Sequence, residues 1–203
     1  MILYGRYLSP FVRRVAIWLN LQDRAFELRA LAATDPNDLP TLKAVNPIAR
    51  VPALVLEDGM VLTECFAICD WLDDTAAEKR LLPEGGLARR QALHWIAIGS
   101  ATTDKAVAVV YEKNRRPEEL HYHAWLERVQ GQVVGGLSQI EALLPGEGFL
   151  GGAAPSGPDV VLTALHDFVA TTNPWLLEPG YPKLVALAKR ANAIPAIGDT
   201  RPG

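Results

Sequence analysis

Apolar and polar residues follow two different rhythms along this chain. Up to about residue 75, short apolar runs alternate with amphipathic stretches; beyond it the spacing is helical throughout. Ile2 to Tyr4 is a short strand candidate, followed by Gly5 and a loop to Ser9. Ser9-Pro10 is a helix start, with Ser at the N-cap and Pro at the first helical position. Val12, Val15, Ala16 and Leu19 form the expected buried stripe of that helix, and Arg13 and Arg14 fall on other faces. Phe26 to Ala30 is a weaker strand, Asp35 to Asp38 is turn-like, and a short helix is expected over Leu39 to Val45. Two apolar runs, Ala53 to Leu56 and Met60 to Leu62, flank Glu57-Asp58-Gly59, whose turn chemistry predicts an antiparallel hairpin. Cys65, Ile68, Cys69 and Leu72 then recur at i, i+3, i+4 and i+7, a helix for which Thr63 is the expected N-cap.

Thr75 to Gly86, with Pro83 and Gly85-Gly86, is a linker in composition. Two domains are therefore expected, residues 1–76 and 87–203. A long helix is predicted from Leu87 to about Asn114, with Ala92, Trp95, Ile96 and Val109 near one face, ending at Arg115-Arg116-Pro117. The next runs from about Glu118 to Leu144, with Leu126, Val129, Val133, Leu137, Ile140 and Leu144 at helical spacing. Ser156-Gly157-Pro158-Asp159 is a close relative of the capping box and opens a helix carrying Val161, Leu165 and Phe168. A last helix spans about Pro182 to Asn192, and the remainder is expected to be an irregular tail.

Composition narrows the function classes. The 203 residues are 49% hydrophobic, enough for a substantial core, and the formal net charge of −3 gives no basic footprint for nucleic acid. No apolar run approaches the roughly 20 residues of a membrane span. Met1 to Tyr4 lacks the pattern of a signal peptide, which points to a cytoplasmic protein. The two cysteines lie four apart on one predicted helix, too few ligands for a zinc site. His121 and His123 are two apart, the wrong spacing for one helical face, and read as surface residues; no metal is expected.

Val51-Pro52 stands directly before an apolar strand, where a proline is tolerated at the strand start or on an edge. A cis bond here would turn the Val51 backbone outward toward a peptide ligand. Asn46-Pro47, Val51-Pro52, Asp58-Gly59, Glu64-Cys65 and Ala67-Ile68 resemble, in order and spacing, the glutathione-binding half of the cytosolic glutathione S-transferase family. That family writes the stretch as NP-x-G-(K/R)-(V/I)-P-x-L, then DG, then ES-x-AI-x-x-YL. Ala49 replaces its Gly, and Cys65 its Ser. Ser9-Pro10-Phe11-Val12 is similar to the serine-type active-site motif of its theta-like and tau-like branches, and Ser156 to Asp159 resembles its Ser/Thr-x-x-Asp helix start. The resemblance implies an α/β thioredoxin-like N-terminal domain followed by an all-α C-terminal domain. The predicted order, strand, helix, strand, helix, strand, strand, helix, agrees with the first of these.

The chemistry implied is activation of the glutathione thiol for attack on a small hydrophobic electrophile. A hydroxyl that donates to the thiolate, set at a helix N-terminus, lowers the thiol pKa, and Ser9 would supply both features. Tyr4 and Tyr7 are the competing hydroxyls, and the other reading of Ser9 is a helix cap alone. By resemblance, Val51 and Pro52 hold the tripeptide backbone, Arg50 meets a ligand carboxylate, and Glu64 with Cys65 holds the γ-glutamyl end. A thiol donates more weakly than a hydroxyl, so Cys65 is expected to weaken that contact. His94 and Trp95 lie on the helix whose family counterpart borders the electrophile. The resemblance also implies a homodimer. Two alternatives stand beside conjugation: a binding or regulatory protein that keeps the fold without catalysis, and a glutathione-dependent isomerase or dehalogenase.

Overall fold

The computed structural model describes residues 1–202. It divides into two compact units, Met1–Leu82 with the segment from Ile194 onward, and Pro83–Ala193. The first contains β1 (Ile2–Tyr4), α1 (Pro10–Leu21), β2 (Glu27–Arg29), α2 (Leu39–Val45), β3 (Ala53–Val55), β4 (Val61–Thr63) and α3 (Cys65–Asp74). Its sheet runs β2-β1-β3-β4. β1 and β2 are parallel across the α1 crossover, while β3 pairs antiparallel with both β1 and β4. This is the thioredoxin-like layout expected from the sequence.

Three details differ from the sequence pattern. Thr63 does not cap α3: it still pairs with Ala53 as the last residue of β4, and the cap passes to Glu64. Arg13 and Arg14, which fall off the expected apolar stripe of α1, are buried with it, at 1% and 3% exposure. α1 is enclosed on several sides, by β1, by α3 and by a further short helix, α8 (Pro195–Gly198). That helix lies in the stretch expected to be irregular, and it is anchored to α1 by Asn20 Nδ2 donating to Ala196 O at 3.0 Å and by Arg13 Nε donating to Thr200 Oγ1 at 3.2 Å.

The second unit is helical: α4 (Gly86–Arg115), α5 (His123–Leu143), α6 (Gly157–Thr172) and α7 (Pro182–Asn192), with 3₁₀ turns at Glu118–Leu120 and Pro174–Leu177. α5 begins later than its apolar spacing suggests, because Glu112 Oε1 accepts the Tyr122 N–H at 3.0 Å and holds the chain outside the helix. Val133, Leu137 and Ile140 of α5 meet Leu162, Leu165 and Phe168 of α6 in the core, with Trp95 packed on its margin. α4 and α6 approach closely at Gly99, where a Cβ would come within 2.6 Å of Val161 Cγ1. Among the described residues no helix is long and apolar enough to cross a membrane.

Candidate functional site

The loop between β1 and α1 ends at Ser9, whose extended backbone (φ −69°, ψ 118°) places its side chain over the first turn of α1. Ser9 Oγ accepts the Val12 N–H at 3.4 Å, a long cap bond. A hydroxyl that accepts in this way still has its own proton to donate. The two neighbouring tyrosines are placed differently. Tyr4 is buried in β1 and its hydroxyl accepts from Arg29 Nη1 at 2.8 Å. Tyr7 is half-buried, and burial pushes its phenol above the usual tyrosine range, so it stays a protonated donor at neutral pH.

Gly5 joins this loop to the next, a role the sequence pattern did not single out. Its φ is +132°, and a Cβ there would run into the Val12 side chain and lie 3.1 Å from Val51 Cβ. Gly5→Ala should therefore destabilise the first unit by about 2 kcal/mol or more, from strain and overpacking together. A urea midpoint equal to that of the unaltered chain would show that the turn relaxes freely.

The Val51–Pro52 peptide bond is cis. Asn46, 2% exposed, shapes the approach to it: its Nδ2 donates to Arg50 O at 2.8 Å and its Oδ1 accepts the Ile48 N–H at 3.2 Å. Ala49 sits at φ 52°, the left-handed region, which accounts for the glycine usual in the resembling pattern. Among the described residues no backbone hydrogen bond engages the Val51 N–H or C=O.

Sheet register carries the next residue to the same place. Because Ala53 pairs with Thr63, Glu64 emerges opposite Pro52. Glu64 holds φ 70°, a strained value for a non-glycine residue. Its Oε1 accepts the Cys65 N–H at 3.1 Å, capping α3, and its Oε2 lies 3.9 Å from Arg50 Nη1. Both side chains are about two-thirds exposed, at 64% and 65%, so this pair adds little stability and its groups are open to a ligand.

Cys65 behaves otherwise. Only 2% exposed, its Sγ donates to Phe11 O at 3.4 Å. Burial alone would push this thiol up, but the hydrogen bond from Cys69 and the positive charge of Arg14 outweigh it and leave it lowered. Cys69 is pushed well above the usual thiol range, by burial first and then by its bond to Cys65. The Cys65 thiol thus faces the α1–α3 contact and not the groove beside Glu64. Cys65→Ser should leave glutathione affinity within about twofold, since the hydroxyl would inherit the Phe11 carbonyl. Calorimetric titration decides it, and a tenfold tightening would mean that the new hydroxyl reaches the ligand.

Arg50, Val51 and Glu64 therefore converge, and Gly5–Val51 and Phe11–Cys65 contacts join the helix carrying Ser9 to them. In the second unit, His94 and Trp95 line a cavity of about 820 Å³ with Arg90, Leu143, Leu150 and Pro158. His121 and His123 lie at the surface. No cluster of three or more metal-ligating side chains occurs among the described residues.

Residues 3–80 match the glutathione S-transferase N-terminal domain family, and residues 124–190 match the glutathione S-transferase C-terminal domain family. The chain belongs to the glutathione S-transferase superfamily. Glutathione S-transferase U7 of Arabidopsis thaliana is 27% identical over 84% of this chain and 70% of its own length. The maleylacetoacetate isomerase of Pseudomonas aeruginosa is 27% identical over 100% of this chain and 96% of its own. A glutathione S-transferase from Methylobacterium radiotolerans, in complex with glutathione sulfonate, superposes with a TM-score of 0.91 at 25% identity, covering 99% of this chain and 94% of that one.

Proposed function

We propose that this chain is a serine-type glutathione transferase that joins the glutathione thiolate to a small hydrophobic electrophile. The observation that carries the reading is Glu64, held at φ 70° beside the cis Val51–Pro52 step with Arg50 next to it. Backbone strain of this kind persists where surrounding structure enforces it, and it clusters at ligand sites. In this reading the Val51 N–H and C=O pair with the tripeptide backbone in the manner of a short added strand. Arg50 receives a ligand carboxylate, Glu64 the γ-glutamyl ammonium, and the first turn of α3 the γ-glutamyl carboxylate. Ser9 keeps its proton and donates a hydrogen bond from its hydroxyl to the thiolate sulfur. The thiol proton leaves to solvent, and the sulfur lone pair forms the new bond to the electrophilic carbon as the leaving group departs with its electrons.

Residues 1–76 serve as the glutathione-binding domain in this reading, followed in sequence by the all-helical domain from residue 87. We further propose a cytoplasmic homodimer. Met60 just before β4, Val61 on β4 and Phe66 on α3 expose 59%, 39% and 51% of their surface, apolar area that a second copy would cover.

Retention on immobilised glutathione, followed by conjugation of an aryl chloride read by absorbance, tests the reading. Binding with turnover supports it; failure to bind rejects it. A second reading, glutathione-dependent cis–trans isomerisation of an unsaturated keto acid, is favoured by the full-length similarity to the Pseudomonas aeruginosa isomerase. It predicts binding, poor conjugation, and isomerisation without net consumption of glutathione. Binding with neither activity would leave the non-catalytic role.

A further inference from the structure

A second cavity, of about 690 Å³, lies at the end of the sheet opposite Ser9 and Val51. Register sets the two places apart. Tyr4 pairs with Ala53 at the end that leads to Ser9 and Val51, whereas Ile2 pairs with Val55 at the end where Met1 and Leu56 join the cavity wall. Every lining residue belongs to the first unit. The volume falls within the range of about 300–1,000 Å³ usual for small-molecule sites.

Gln22, the residue after α1, lines this cavity and is only 6% exposed. Neither its Oε1 nor its Nε2 meets a hydrogen-bond partner in the protein. Its backbone N–H is engaged, donating to Trp18 O at 3.1 Å, so the side-chain amide alone is orphaned. Buried amides are nearly always satisfied, and one left over beside a cavity calls for a ligand or an ordered water. The amide presents an acceptor and a donor side by side in one plane, the complement of an edge that sets an N–H beside an acceptor.

The walls suit a flat molecule. The Arg24 guanidinium carbon lies 5.5 Å from the Trp71 ring centroid, and both residues line the cavity. Arg24 Nη2 is held there, donating to Leu72 O at 3.1 Å and to Thr75 Oγ1 at 2.9 Å. Indole and guanidinium planes both stack on heterocyclic bases. Ala77, also on the wall, holds φ 48°, a strained value of the kind that clusters at ligand sites. At the hairpin turn, Asp58 Oδ1 accepts the Met60 N–H at 2.9 Å, while the exposed carboxylate of Glu57 is free to accept from a ligand hydroxyl, as acidic residues do from ribose.

We propose that this cavity is a second ligand site, which takes a nucleoside of the adenine type. Gln22 pairs with the base edge, its Oε1 accepting the exocyclic N–H and its Nε2 donating to the adjacent ring nitrogen. Trp71 and Arg24 flank the base, and Glu57 accepts from the ribose hydroxyls. The site is separate from the cis Val51–Pro52 groove and does not depend on glutathione being the ligand there.

The test is calorimetric titration of the full chain with adenosine and with purine riboside, which lacks only the amino group. Adenosine should bind with a dissociation constant below about 1 mM, and purine riboside at least tenfold more weakly. Gln22→Met keeps the length of the side chain and removes an unsatisfied amide. It should melt no lower than the unaltered chain, yet bind adenosine only as weakly as purine riboside. Glu57→Gln, a substitution in an exposed turn, should weaken adenosine about fivefold and leave 9-methyladenine, which has no ribose, within twofold. Saturating glutathione should change none of these affinities. Absence of adenosine binding, or equal affinity for the two nucleosides, would overturn the proposal. Loss of adenosine binding on addition of glutathione would do the same, by placing the nucleoside in the other groove. Unchanged adenosine affinity in Gln22→Met would mean that ordered water satisfies the amide, and would also overturn it. Should the methionine variant not fold, the comparison of nucleosides on the unaltered chain and the Glu57→Gln variant still decide.

Discussion

Ser9→Ala should lower turnover at least tenfold while leaving the fold almost unchanged. The two effects are separable because Ser9 has two duties of unequal strength. As a cap it accepts one N–H at 3.4 Å, near the limit of a hydrogen bond, so its loss should cost about 0.5 kcal/mol, the low end for N-caps. As a donor to a thiolate it would make a charge-assisted bond, and losing one such bond corresponds to about 1.4 kcal/mol or more of barrier, a factor of ten in rate. Affinity for glutathione should change less than turnover, because in the proposed reading the peptide is held by Arg50, Val51 and Glu64. Full turnover in a folded variant would pass the role to Tyr7, the hydroxyl that burial keeps protonated, and not to Tyr4, which Arg29 occupies.

The largest loss of stability is expected at Asp159. Its carboxylate is fully buried and accepts four bonds: Leu150 N–H at 2.8 Å, Gly151 N–H at 3.2 Å, Ser156 N–H at 2.8 Å and Ser156 Oγ–H at 2.6 Å. It thus binds the loop after α5 to the first turn of α6. Asp159→Ala would remove the one acceptor shared by four part-buried donors, at about 1 kcal/mol each, so a total near 4 kcal/mol is expected. Against a typical total stability of about 5–15 kcal/mol this is a large fraction. A fall of roughly 8–16 °C in melting temperature, followed by circular dichroism, is the expected reading for a chain of this length. A shift under about 2 °C would show that the loop finds other acceptors.

Features set by local chemistry were legible in the sequence. The Ser9-Pro10 start, the α2 boundaries, the hairpin around Asp58-Gly59 and the Ser156–Asp159 capping box each depend on residues within a few positions of one another. Those set by distant neighbours were not. Apolar spacing places Arg13 and Arg14 off the buried stripe of α1, yet a helix enclosed by strand, helix and C-terminal segment has no exposed face to receive them. Thr63 has the chemistry of a cap, but its ladder with Ala53 claims it first. At the candidate site, the convergence of Arg50, Val51 and Glu64 followed from the motif. The inward turn of the Cys65 thiol did not, because its partners Phe11 and Arg14 are more than 50 residues away.

The return of the chain's last residues to α1 has a consequence for biogenesis. A ribosome completes everything from Pro83 to Ala193 before Ile197 and Thr200 exist, so the helical unit can close while the sheet-bearing unit still lacks its final piece. Until then Arg13 has no Thr200 to meet, and the outer side of α1 is uncovered. The order in which the two units are completed is therefore the reverse of the order in which they begin. A fragment ending at Leu82 would reproduce that unfinished intermediate and should be prone to self-association, whereas supplying residues 194–202 as a separate peptide should shield it.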